Sequence, residues 1–166
     1  MEILDLLLTQ TQLYGLIFLL GSFSVATLSD IKTMTAQREF LEIWILFSLA
    51  FLAYDVHTGY THGADILLYI KWGLIVLFVI SWAFGIFFKI APGDAFAVVA
   101  VMTLLTPPFI VFFYIILKII DIIFRPFLKL LFGDKKGYPF MPVVTVAVAI
   151  TFFVGLYLID WIGASL

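Results

Sequence analysis

The strongest constraint on this chain is a set of apolar runs, each near 20 residues, broken by short polar stretches. "LYGLIFLLGSFSVATLS" (13–29), "ILLYIKWGLIVLFVISWAFGIFF" (66–88) and "MPVVTVAVAITFFVGLYLIDWI" (141–162) hold between them one cation, Lys71, and one acid, Asp160. Helices of this length and composition match a bilayer core, because a spanning helix needs about 20 apolar residues at roughly 1.5 Å rise. The composition agrees: 64% of residues are hydrophobic, 12% are charged and the mean hydropathy is +1.21, far from soluble usage. The expectation is an all-α fold, a polytopic membrane helix bundle forming one domain over residues 1–166.

Six transmembrane helices are predicted, at about 12–30, 40–54, 65–88, 94–106, 108–131 and 140–162. The fourth would be only ~20 Å long against a hydrocarbon core of about 30 Å, so its polar start must lie in protein or in a wet cavity. Lys32 and Arg38 follow the first span, Lys89 the third, and Arg125, Lys129, Lys135 and Lys136 the end of the fifth. By the positive-inside rule these turns are cytoplasmic, giving an N-out/C-out topology in the cell membrane. The N-terminal residues carry Glu2 and Asp5 and lack a basic n-region, so the first apolar helix is expected to be retained rather than cleaved. No nucleic-acid motif is present.

On this topology two acids from distant sequence, Asp30 at the end of the first span and Asp94 at the start of the fourth, share one depth at the cytoplasmic boundary. Ionisable groups so placed are costly and are functional candidates by default. The structural alternatives are a helix cap for Asp94, after Pro92 and Gly93, and an exposed helix end for Asp30, paired with Lys32. Two carboxylates in one low-dielectric cleft hold a single proton between them, because both cannot easily ionise. The ionised member can then activate a water while the protonated one donates to a scissile carbonyl oxygen. Competing nucleophilic chemistries lack their parts: there is no cysteine, and the histidines, His57 and His62, fall at the opposite side of the predicted membrane.

Three blocks carry a family likeness. "SDIKTMTAQREFLEIWI" (29–45), "APGDAFAVVAVMTLLTP" (91–107) and "YPFMPVVTVAVAI" (138–150) resemble, in order, the first-aspartate segment, the GxGD motif and the entry to the last helix of prepilin and preflagellin peptidases. The resemblance implies an intramembrane aspartyl endopeptidase with Asp30 and Asp94 as its catalytic pair. Gly93 would be an active-site loop residue that lets the backbone approach closely. The first glycine of GxGD is Ala91 here, and Ala36 and Gln37 stand in the region where the family commonly has a proline. The chain has neither the cysteines nor the length of the methylating bacterial members, so it is similar to the compact archaeal-type enzymes, without methyltransferase activity and with no cofactor. The implied partners are pilin-like or flagellin-like precursors with a short basic leader ahead of a hydrophobic helix, cut at the cytoplasmic face. Glu39 and Glu42 are candidates to attract that leader.

Four other readings complete the expectation. "DVHTGYTHGAD" sets Asp55, His57, His62 and Asp65 in what reads as a polar outer loop, solvated rather than metal-binding; Asp65 in Gly-Ala-Asp is the fallback for a displaced second aspartate. Lys118, Asp121 and Arg125 recur at helical spacing and can pair internally. Pro126 is expected to break the fifth helix ahead of a basic interfacial segment. The competing functional class is a small proton- or cation-coupled transporter or channel that uses buried acids.

Overall fold

The computed structural model describes residues 8–33, 38–62, 66–86, 90–132 and 139–163. Six helices make up these segments: α1 (Gln10–Thr33), α2 (Arg38–His62), α3 (Ile66–Ala83), α4 (Pro92–Leu104), α5 (Pro107–Phe132) and α6 (Met141–Gly163). All but α4 are long and apolar enough to cross a membrane. The architecture is thus the expected all-helical membrane bundle.

Helix ends follow local chemistry. Thr9 and Gln12 form a reciprocal cap at the start of α1: the Thr9 N–H donates to Gln12 Oε1 (2.7 Å) and the Gln12 N–H to Thr9 Oγ1 (3.3 Å), which satisfies two otherwise orphan donors. In α4, Pro92 takes the first helical position after Ala91, where its missing N–H costs nothing. Leu105 is extended and the following Thr106 precedes Pro107 and Pro108, a context that disfavours helix. Pro107 then opens α5.

Packing reads directly from spacing. In α1, Leu16, Leu19, Phe23 and Ala26 are buried, a stripe with alternating steps of three and four that presents one face to α6. In α6 the matching stripe is Met141, Val144, Val148 and Thr151. These two helices form the most extensive pair, joined also by the Thr27 and Thr145 hydroxyls at 2.8 Å. Trp44 of α2 is fully buried, edge-on to Phe23 at 5.0 Å, with its indole N–H donating to Ser22 Oγ (3.1 Å). The short α4 sits at the centre, touching α1, α2, α3 and α6, and 9 of its 13 residues are buried. Protein therefore surrounds the helix that is too short for the membrane.

Three expectations change. α2 runs to His62 rather than ending near residue 54, so Asp55 and His57 lie on helix and not in an outer loop. Helix α5 continues through Pro126 to Phe132; a proline removes one backbone bond and kinks a helix, but flanking turns can carry it. Helix α3 ends at Ala83 rather than near 88, where Gly85 (φ 62°) turns the chain in a conformation that suits glycine.

Candidate active site

Asp30 belongs to the buried stripe of α1. It falls four residues after Ala26, on the face that packs against α6, and is 6% exposed, while its neighbours Ile31 and Lys32 face outward. Its carboxylate accepts the Met141 N–H (3.3 Å) and is also bonded by the Phe140 N–H. These are orphan donors at the start of α6, so Asp30 caps that helix from another element. The Asp30–Lys32 pair considered above does not form; the acid turns inward, away from the cation.

Asp94 is held within its own helix. Ala91 is the N-cap residue and Asp94 lies in the first turn, 9% exposed. Its carboxylate accepts the Ala91 N–H, the back-reaching half of a capping box. Gly93 stands between Pro92 and Asp94 in that turn, half-buried and helical, without the positive φ found at Gly85. Beside it the Trp82 indole N–H donates to the Ile90 carbonyl (3.1 Å), tying the end of α3 to the entry of α4.

The fold brings the two acids together. α1 runs toward the end of the bundle from which α4 starts, both helices pack on α6 and on each other, and the two carboxylates lie within electrostatic reach of each other. Each carboxylate is anchored by backbone N–H groups at one edge, and neither forms an ion pair among the described residues. Such an arrangement can hold one shared proton and present one ionised and one protonated oxygen to a water.

The other candidates separate from this pair. Glu42 is engaged by Arg38 at 2.8 Å on an exposed face, and Glu39 is exposed. Asp121 is fully buried and paired with Arg125 one turn on, as internal pairing predicts. Asp65 and the side chain of His62 lie outside what the structure describes. Among the described residues no group of three or more His, Cys, Asp or Glu converges on a metal position. A feature the sequence reading missed is Asp55, which is buried and accepts from Lys71 Nζ (2.7 Å) and Trp72 Nε1 (3.1 Å). A cation inside an apolar run was the available signal, since an intramembrane lysine requires a partner.

No family model matches the chain, and neither a curated protein nor a solved structure matches it.

Proposed function

We propose that this membrane protein is an intramembrane aspartyl endopeptidase that removes a short basic leader from pilin-like or flagellin-like precursors at the cytoplasmic face. One observation carries the reading: Asp30 and Asp94, 64 positions apart in sequence, are both buried at the same end of the bundle and within electrostatic reach of each other. The likeness of the three sequence blocks to prepilin and preflagellin peptidases supports it.

In this mechanism the ionised carboxylate takes a proton from water as the oxygen attacks the scissile carbonyl. The protonated carboxyl gives its proton to the carbonyl oxygen, forming a neutral tetrahedral gem-diol. Reversal of the two roles delivers a proton to the departing nitrogen and breaks the C–N bond. The backbone donors at the starts of α6 and α4 fix the two acids without neutralising their charge, a form of preorganisation.

The test is incubation of the lipid-reconstituted protein with a precursor that carries a basic leader ahead of a hydrophobic helix. Wild type is expected to trim the leader, and Asp30→Asn and Asp94→Asn to leave it intact while remaining folded. Cleavage that persists in both variants overturns the assignment. The transporter alternative gains nothing from the buried acid at the other end of the bundle, because Lys71 neutralises Asp55.

A further inference from the structure

A cavity lies at the end of the bundle opposite the two aspartates. The last residue of α4, Leu104, reaches only the level of Gly15 in α1 and Phe47 in α2: a Cβ on Gly15 would come within 2.7 Å of the Leu104 side chain and 3.4 Å of Phe47. Beyond that level α4 no longer fills the space between α1, α2 and α3. A cavity of about 340 Å³ opens there, lined by Thr9, Thr11, Gln12, Tyr54, Asp55 and Lys71 together with Ala50 and Phe51. It reaches the surface, since Thr9, Thr11 and Tyr54 are exposed. Its volume falls at the lower end of the range for small-molecule sites, roughly 300–1,000 Å³.

Most of the lining is apolar, but polar and charged side chains also contribute to it, and its charges are unusual. Lys71 and Asp55 are each more than nine-tenths buried. Among the described residues Lys71 donates to Asp55 Oδ2 alone, leaving two of its three N–H donors; Trp72 donates to the same oxygen, leaving Asp55 Oδ1. Among the described residues the pair therefore keeps donor and acceptor capacity of opposite sign beside the cavity while carrying no net charge. A lone anion or cation would unbalance it. A ligand with an anionic oxyacid and an ammonium a few bonds apart satisfies both halves, with the Thr9, Thr11 and Gln12 side chains available to the oxyacid oxygens. The helix ends place the site at the headgroup level of a membrane, where an amphipathic Trp72 and an exposed Tyr54 also belong.

We infer that this cavity binds a phosphoethanolamine zwitterion, with the phosphate on Lys71 and the ammonium on Asp55. The source is either the headgroup of a membrane aminophospholipid or a soluble phosphodiester such as glycerophosphoethanolamine, each with one negative and one positive charge; a phosphomonoester would carry a second negative charge. This inference is independent of the peptidase reading.

The test is native mass spectrometry of the purified full chain in detergent, titrated separately with phosphatidylethanolamine, phosphatidylglycerol and glycerophosphoethanolamine. Phosphatidylethanolamine or glycerophosphoethanolamine is expected to be retained at least tenfold better than phosphatidylglycerol. Retention of the lipid alone assigns the site to the bilayer; retention of the soluble compound assigns it to a solute as well; both support the zwitterion. Lys71→Met is the direct probe but removes half of an interhelical ion pair. Ala50→Phe fills the cavity without touching that pair, and is expected to lower zwitterion retention at least fivefold. Equal retention of the two lipids with no binding of the soluble compound, or unchanged retention in Ala50→Phe, overturns the proposal.

Discussion

The carboxylate of Asp30 caps a helix to which it does not belong: its oxygen lies 3.3 Å from the backbone nitrogen of Met141, 111 positions later in the chain. The last full turn of α1 and the first turn of α6 are thereby fixed to each other at the same place where Asp94 enters from α4. A single interaction serves helix packing and places a candidate catalytic acid.

Asp30→Asn preserves the shape of the side chain but removes the charge that the α6 donors face. If Asp30 is half of a shared-proton pair, cleavage falls by about 100-fold or more, the usual scale of acid–base assistance. Asp30→Glu is expected to recover little, because the longer arm displaces the oxygen from the Met141 N–H. Rates measured in parallel with circular dichroism and thermal unfolding separate loss of chemistry from loss of structure.

For a coupled pair, proton loss occurs in two macroscopic steps that belong to both residues. The cleavage rate of the wild type is expected to trace a bell against pH, rising as the first proton leaves and falling as the second does. Initial rates across the pH range read this directly. A rate that rises or falls through a single step contradicts shared-proton catalysis.

Loss of Lys71 leaves Asp55 buried beside Trp72 without its counter-charge. Lys71→Met is expected to destabilise the protein by roughly 3–5 kcal/mol, and Lys71→Met combined with Asp55→Leu by much less, since an unpaired buried charge is worse than none. The effect should be plain in thermal unfolding because α2 packs chiefly on α4, and α3 on α4 and α5, so this pair is a direct link between α2 and α3. Equal destabilisation by the single and double variants refutes the argument.

At Gly15 a side chain meets the terminal carbons of Leu104. Gly15→Val is expected to cost about 1–3 kcal/mol as an overpacked contact. Leu104→Ala in the same chain makes room and returns part of that loss, a coupling that a double-mutant cycle measures. Additive effects contradict the close contact.

Much of this was legible before any coordinates. The apolar runs predicted the helices, and the order Pro92, Gly93, Asp94 placed an acid in the first turn of a short one. The burial of Asp30 was also readable, because it continues the stripe Leu16, Leu19, Phe23, Ala26 at the same three- and four-residue steps. Its partner was not: the Met141 N–H becomes available only when α6 packs against α1. The extent of α2 was misread because Asp55, His57 and Gly59 look like loop residues, and only the cross-helix bond to Lys71 gives Asp55 a reason to stay on helix. Pro126 illustrates the same limit, since a proline's local preference yields when the turns on either side are held.

The central helix has one more consequence. Between Asp94 and the cavity beside Lys71, α4 contributes buried Ala97, Val98, Val101 and Leu104, and its only buried hydroxyl in that stretch, on Thr103, is turned back to the Ala100 carbonyl. Over that stretch α4 itself offers a chain of waters no free polar side chain. The short helix is therefore a dry plug: it separates the ionisable groups at one end of the bundle from those at the other by an apolar stretch of its own side chains.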